Sequence, residues 1–97
     1  MERKYVIICN RHKSIYNGLL FWGTRTKDDA KRSFGGYTSD INGCELYTLE
    51  EINNSGYKFN IYGKDCNHDN YKMFDDVVIE VKRIKSLGYR SITIYVR

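Results

Sequence analysis

Proline is absent from this 97-residue sequence, and so is any long apolar run. Without proline the chain contains no polyproline II ligand and no rigid proline-rich linker. No stretch approaches the roughly 18 consecutive apolar residues of a membrane-spanning helix. The apolar run Tyr5 to Cys9 after the basic N-terminus is too short for the core of a signal peptide. We therefore expect a cytosolic protein with no membrane partner.

Cysteine is scarce, and the three cysteines, Cys9, Cys44 and Cys66, form no C-x-x-C pair. An odd number of cysteines without such a pair argues against a disulfide scaffold and fits a reducing compartment.

Recognisable catalytic and phosphate-binding motifs are also lacking. The sequence has no Walker loop, no nucleophile elbow and no dinucleotide-binding fingerprint. Gly35-Gly36 is followed by Tyr37 instead of a helix start with a lysine, so it does not indicate a phosphate cradle. We expect no catalytic residues, no cofactor and no enzymatic activity.

The chain is long enough for one domain, which we place at residues 1–97. Its net charge of +4 is distributed in blocks: residues 1–35 carry +5, residues 36–80 carry −6 and residues 81–97 carry +5. Two explanations stay open. The two ends could form one basic face that attracts an acidic partner, or the opposite blocks could pair with each other across the surface.

The most informative stretch is Leu19 to Ile52. It begins with the apolar run Leu19 to Trp22, which predicts a buried strand ending at Gly23. After a polar basic loop, Gly35-Gly36 predicts a turn into a short strand at Tyr37-Thr38. Thr48 and Glu51 match a capping box, which predicts a short helix stopped by 53–56.

The remaining elements are predicted from β-branched runs and periodicity. Lys4 to Cys9 is typical of a central strand, and the alternation over Tyr57 to Tyr62 predicts a half-exposed strand. In that strand Tyr57, Phe59 and Ile61 would point inward, and Lys58, Asn60 and Tyr62 outward. Helical spacing over Asp75 to Leu87 predicts a helix, with a strand at Val77 to Ile79 before a shorter helix as the alternative. Ser91 to Val96 predicts a final strand.

These elements give the order β-β-(β)-α-β-α-β. The predicted class is α+β, in two layers, with a mostly antiparallel sheet of about four or five strands and two helices. One face of the sheet is expected to pack on the helices and the other to be partly open.

A resemblance to a known group rests on three segments: Trp22-Gly23, then Gly36-Tyr37-Thr38-Ser39-Asp40, then Tyr47 to Glu51. This pattern resembles a group of small uncharacterised proteins of phages and mobile elements. The match covers about a third of the chain and implies a compact α+β unit. It brings no catalytic residues, and the longer basic insert before Gly35 departs from the group.

The loop Asp65 to Asp69 concentrates residue types that serve in metal binding and in cysteine catalysis. It contains Cys66 and His68, but adjacent ligands cannot all converge on one zinc ion, and an EF-hand would need a different spacing. We expect a solvated turn without a metal. A metal-dependent or cysteine hydrolase is therefore the most distant alternative.

Nucleic-acid binding is the second hypothesis. It rests on basic residues interleaved with aromatic ones that could contact phosphates and stack on bases. Trp22 itself is expected in the core, since it ends an apolar strand. The residues are Arg11, His12, Lys13, Tyr16, Trp22, Arg25, Lys27, Lys31, Arg32 and Phe34.

The leading hypothesis is a non-enzymatic macromolecule-binding protein of phage or mobile-element type, acting in the host cytoplasm. Its specific form is an inhibitor of a host defence nuclease, as anti-CRISPR proteins are, that occludes a host protein or ribonucleoprotein complex. A homodimer through an edge such as 91–96 is a further alternative. The predicted partner-binding residues are Arg25, Lys31, Arg32, Tyr37, Tyr62, Asp65, Asp69, Asp75 and Asp76.

Overall fold

A computed structural model of the chain describes residues 2–12 and 18–89. It contains five strands, one α-helix and two 3₁₀ helices. The strands are β1 (Tyr5–Cys9), β2 (Phe21–Trp22), β3 (Tyr37–Thr38), β4 (Asn60–Ile61) and β5 (Asp76–Glu80). The helices are α1 (Leu49–Asn53) and the 3₁₀ helices Tyr71–Met73 and Val81–Leu87.

The strands form one sheet in the order β3-β2-β1-β5-β4. Three of the four neighbouring pairs are antiparallel, and only β4 and β5 run parallel. The predicted class, an α+β fold with a mostly antiparallel sheet, is confirmed.

Strands β1 and β5 make the centre of the sheet, paired over their full length from Tyr5↔Glu80 to Cys9↔Asp76. Residues Val6 to Ile8 and Val77 to Ile79 are almost completely buried on both faces. Their β-branched side chains suit a pleated strand with no solvent-facing side.

Both faces of the sheet are covered, which corrects the expectation of one partly open face. Val6, Ile8 and Phe21 belong to a core cluster on one side, called here the Val6 face. Ile7, Trp22 and Val78 belong to a second cluster on the opposite side, the Ile7 face. Tyr71 and Leu87, from the 3₁₀ helices, cover the Val6 face, whereas Tyr47 and Ile52 cover the Ile7 face.

The single helix predicted over Asp75 to Leu87 is wrong, and the alternative with a strand first is confirmed. Residues 76–80 form β5, and the chain turns into the 3₁₀ helix Val81–Leu87 directly after it. Pairing with β1 favours the strand over a helix, because it provides hydrogen-bond partners for the backbone of the valine-rich segment and buries both of its sides. Gly88 ends the 3₁₀ helix with φ of +92°, as expected of a glycine stop.

The strand predicted over Tyr57 to Tyr62 is shorter than expected, since only Asn60–Ile61 pairs with β5. The backbone of Ile61 is then closed off locally: its N–H donates to Asp65 and its carbonyl accepts from Lys64 and Asp65. This turn protects an edge strand from pairing with another chain.

The two short elements predicted from turn and cap signals are confirmed. Tyr37–Thr38 pairs with β2. Thr48 and Glu51 form the reciprocal capping box that starts α1, and Ile52 is the buried residue of this helix. The strand predicted at Ser91 to Val96 lies outside the described residues.

Candidate functional site

The most distinctive surface of the molecule is a cluster of aromatic side chains around Trp22, called here the aromatic patch. Trp22 is 7% exposed, while Tyr37 and Tyr57 are 43% and 51% exposed. The five aromatic residues of the patch are Trp22, Phe34, Tyr37, Tyr57 and Phe59.

Trp22 holds the patch together. The rings of Tyr37, Tyr57 and Phe59 meet the indole edge-on at centroid distances of 5.7, 5.6 and 5.2 Å. Edge-to-face pairs of this kind add about 0.5–1.5 kcal/mol each beyond the area they bury. The two exposed tyrosine rings are therefore held in place by the buried Trp22 indole.

The indole is oriented by a charged pair next to it. Its Nε1–H donates to the Asp76 carboxylate at 2.8 Å, and the Arg11 guanidinium lies 3.5 Å from the same oxygen. The guanidinium is also 5.6 Å from the indole centroid and donates to the Tyr37 hydroxyl at 3.3 Å. Asp76 and Arg11 thus fix Trp22 and Tyr37 relative to each other.

The rim beside Tyr37 is basic. His12 stands 5.1 Å from the Tyr37 ring, and both His12 and Arg11 are exposed. The Asp76 carboxylate raises the pKa of the Arg11 guanidinium, so Arg11 carries its positive charge at every physiological pH.

The other end of the patch is a row of four rings in contact, Tyr47, Phe34, Tyr57 and Phe59. Phe34 lies 4.9 Å from Tyr47 and 5.4 Å from Tyr57, and Tyr57 lies 5.7 Å from Phe59. Tyr47 is fully buried, and burial raises the pKa of its phenol, so the hydroxyl stays protonated and donates to the Ser33 carbonyl. The patch is supported from below by the core.

A buried carboxylate anchors the loop that carries Phe34. Glu45 has no exposed surface and accepts five hydrogen bonds, from the Arg32 guanidinium, the Thr26 hydroxyl, and the amides of three residues. Burial acts to raise the pKa of Glu45, but the hydrogen bonds outweigh it, so the pKa lies below its ordinary value. The amide donors are Thr26, Ser33 and Leu46.

Two of the predicted partner contacts, Arg25 and Arg32, are tied into this loop. The Arg32 side chain is 6% exposed and pairs with Glu45 at 3.0 Å. The Arg25 guanidinium donates to the carbonyls of Cys44 and Ile41 at 2.6 and 2.9 Å. Both arginines therefore hold the loop to the body of the protein.

The other predicted residues are placed separately. Lys31 is exposed on the same loop, and Tyr37 is part of the aromatic patch. Asp76 supports the patch from within, with its side chain 14% exposed, and Asp75 is an exposed neighbour.

Tyr62, Asp65 and Asp69 lie away from the patch. Tyr62 was expected to face outward, but its ring packs on the Val6 face, half-buried, because β4 exposes neither side fully. Asp65 closes the β4 edge, and Asp69 is exposed in an Asx turn of Asn67. The structure thus brings together Tyr37 and Asp76, and not the whole predicted set.

The cysteines are all buried and free. Burial raises the pKa of the Cys44 thiol to about 11 and also raises that of Cys66, so both are protonated and poor nucleophiles at neutral pH. Cys66 belongs to the core, whereas His68 is exposed. Within residues 2–12 and 18–89, no group of three or more His, Cys, Asp or Glu side chains could hold a metal ion.

A second concave region is an open, charged groove of about 780 Å³ between the N-terminal segment and α1. Its charged side chains are largely paired: Arg3 binds Glu51 through two nitrogens at 2.9–3.2 Å and lies 3.6 Å from Asp28. Because its cations face carboxylates, the groove offers little net charge to a ligand.

No family model, no curated protein and no solved structure matches this chain. The part of the chain that the structure describes contains no helix with the length and hydropathy needed to cross a membrane.

Part of the site was beyond sequence reasoning. Tyr57 was expected to point inward, yet it is the most exposed ring of the patch, because β4 begins only at Asn60 and the alternation of a strand does not extend to Tyr57. No sequence pattern indicated that Glu45 would be buried and would anchor a loop, because it is a single acid between Cys44 and Leu46. The sequence feature that comes nearest to indicating the aromatic patch is the group of three aromatic residues within 57–62.

Proposed function

We propose that this protein is a non-enzymatic binding protein whose aromatic patch anchors a macromolecular partner. One observation carries the proposal: two exposed tyrosines are fixed on a buried tryptophan, with an arginine and a histidine at the rim. Tyr, Trp and Arg are the residues that most often dominate binding energy at protein interfaces. A patch held rigid before binding loses less entropy when the partner docks.

The partner in this proposal is a host protein or a ribonucleoprotein complex in the cytoplasm, and the specific form is inhibition of a host defence nuclease by occlusion. The resemblance to small phage and mobile-element proteins supports this form. The protonated, buried thiols favour binding over cysteine chemistry. A rigid sheet buried on both faces gives the occluding surface a fixed shape.

The test is a comparison of capture from host lysate by the tagged wild-type protein and by the Tyr37→Ala/Tyr57→Ala variant. The captured component is then purified and titrated against both proteins. We expect at least about tenfold weaker binding by the variant, because truncating a hot-spot residue costs about 2 kcal/mol or more, and about 1.4 kcal/mol already corresponds to tenfold. Met73→Ala is the matched control, since Met73 is an 82% exposed apolar side chain outside the patch.

Equal binding by wild type and the double variant would reject the patch as the interface. The nuclease form has a separate readout: the captured complex is assayed for nucleic-acid cleavage at rising concentrations of the protein. Cleavage unaffected at saturation would reject inhibition while leaving the binding result intact.

A further inference from the structure

A second surface lies on the Val6 face, on the opposite side of the sheet from the aromatic patch. It is formed by the 3₁₀ helix Val81–Leu87 and called here the basic ridge. Side chains three apart line up in a 3₁₀ helix. Ile84 and Leu87, on the line that starts at the exposed Val81, pack on the core, so the cations fall on the two outer lines. The cations of the ridge are Lys82, Arg83 and Lys85, all exposed.

Arg83 and Lys85 have no acidic partner among the described residues, and no acid interrupts the three cations in the sequence, whereas Asp28 and Asp29 lie between the exposed Lys27 and Lys31. Four of the six ion pairs join an arginine of the N-terminal block, Arg3, Arg11 or Arg32, to an acid of the middle block. On the ridge, only Lys82 has an acidic partner, Glu80, at 3.4 Å. The Lys82 side chain is 77% exposed, so solvent weakens this pair and a phosphate can replace Glu80.

Arg83 is held in place without an acid. Its guanidinium lies 5.3 Å from the centroid of the Tyr62 ring. It also runs so close to Gly63 that a β-carbon there would meet Nη1 at 3.2 Å. Next to Tyr62, the Tyr71 ring carries Lys72 at 5.8 Å in the same way. Two cations are thus displayed on aromatic rings, which hold them without cancelling their charge.

The acids near the ridge do not cancel this arrangement. Asp65 accepts the Ile61 amide and so closes the β4 edge, and Asp69 is an exposed residue of the same loop. Together with Lys64 and Lys72, the three ridge cations exceed Asp65, Asp69 and Glu80 by two positive charges. The segment 81–89 contains no acid at all.

From this geometry we propose that the basic ridge binds the phosphate backbone of single-stranded nucleic acid. Lys82 and Lys85 lie about 6 Å apart along the helix axis and contact phosphates, and the exposed Arg83 guanidinium offers a flat surface on which an unpaired base can stack. The ridge is only about 14 Å long, and its contacts are to phosphates and to the face of a stacked base, so we expect binding that depends little on base sequence.

This site differs from the nucleic-acid surface expected from the sequence, which relied on residues 11–34. Arg25 and Arg32 of that region are committed to internal contacts. The ridge and the aromatic patch lie on opposite faces, so one molecule could engage the protein and the RNA of one complex at the same time.

The test measures binding of fluorescent oligo-U RNA and oligo-dT by anisotropy at several salt concentrations. Each phosphate contact to a single strand contributes about −0.7 to the slope of log K against log salt. For Lys82→Glu/Lys85→Glu we expect at least about tenfold weaker binding at low salt and a slope reduced in magnitude by about 1.4, because two contacts are lost. Arg83→Ala should weaken binding more than Arg83→Lys does.

The matched control is Lys27→Glu/Lys31→Glu, which makes the same change in net charge at two exposed lysines of the basic loop. An equal loss in this control would show that only net charge matters and would overturn the ridge as a site. No binding by wild type at low salt, tighter binding of a duplex of equal length, or binding to anionic vesicles alone would also overturn it. Tyr37→Ala/Tyr57→Ala should bind the oligonucleotides like wild type, so failure of the patch and failure of the ridge can be told apart.

Discussion

At the scale of single residues, Glu45 does the most to shape the surface. An ionised carboxylate without exposed area is tolerated only when hydrogen bonds and a cation replace its water, and Glu45 has both. Its partners lie at 26, 32 and 33, so it fixes the loop that leads into Phe34 and the turn before Tyr37. The position of the aromatic patch thus depends on one acid in the core.

Replacing that acid tests its importance directly. Glu45→Gln would remove the carboxylate that lies 3.0 Å from the buried Arg32 guanidinium and leave it only Glu51, at 3.7 Å, and we expect the free energy of unfolding at pH 7 to fall by about 3 kcal/mol. Urea denaturation followed by the fluorescence of the single tryptophan measures the loss. Glu50→Gln, on the exposed side of α1, is the control and should stay within about 0.5 kcal/mol of wild type. A similarly small loss for Glu45→Gln would contradict the proposed anchoring.

Gly23 is the second residue on which this region depends. It follows β2 with φ of +81°, and a β-carbon there would meet the Ser33 carbonyl at 2.6 Å and the Tyr47 hydroxyl at 2.7 Å. Gly23→Ala therefore adds steric overlap to the backbone strain, for an expected loss of about 2–5 kcal/mol. Gly56→Ala has the same sign of φ but open space around it, and its expected loss is only about 1–2 kcal/mol. Thermal denaturation of the two variants makes the comparison, and equal losses would show that packing at Gly23 is loose.

At the scale of elements, the features predictable from sequence were those with a local cause. β1 follows from its β-branched run, β3 from the glycine pair before it, and α1 from its capping box. The segment 75–87 was ambiguous because its apolar residues fit a helical spacing and a buried strand alike, and only pairing with β1 chooses between them. The aromatic patch was not predictable, since its rings come from four separate segments that meet only in the folded sheet.

The capping box is the clearest test at this scale. α1 has only five residues, too few for a helix to form by itself, so its ends and its packing must stabilise it. Thr48→Ala removes the hydroxyl that accepts from the Glu51 amide at 3.0 Å, and we expect a loss of about 1 kcal/mol. Thr48→Ser keeps the acceptor and should recover most of it in the same urea titration. If serine and alanine are equally destabilising, the methyl group of Thr48 matters and the cap does not.

At the scale of the whole molecule, the charge blocks of the sequence pair inward. Of the two explanations for the charge blocks, pairing between opposite blocks applies to the arginines of the N-terminal block. Arg3 pairs with Glu51, Arg11 with Asp76 and Arg32 with Glu45. In the described part of the C-terminal block, Lys82, Arg83 and Lys85 stay exposed on the basic ridge. Arginines of the N-terminal block are thus paired, while Lys27 and Lys31 of the same block stay exposed without an ion pair among the described residues, a division that composition alone could not give.

This inward pairing predicts how stability depends on pH. The pKa of Glu51 lies below its ordinary value of 4.5, chiefly because Arg3 donates a hydrogen bond to the carboxylate. The Thr48 amide and the nearby arginine charges add to this, and together they outweigh the effect of burial. The pKa of Glu45 is also lowered. A carboxyl group whose pKa is lower in the folded state contributes stability above its unfolded pKa and loses it as pH falls through the folded value. We therefore expect the free energy of unfolding to be level above about pH 5 and to decline below about pH 4.5.

The part of this decline that belongs to Glu51 can be isolated. Glu51→Gln should be less stable than wild type at pH 7, and the gap should narrow as the pH falls below 4.5, because wild type then protonates the same group. Urea titrations at pH 7, 5, 4 and 3 measure the gap, and Glu50→Gln, without an ion pair among the described residues, should follow the wild-type curve throughout. A gap that stays constant with pH would mean that Glu51 is held by packing and not by its charge, and the pairing of the basic N-terminal block with the acidic middle block would then not stabilise the fold at this point.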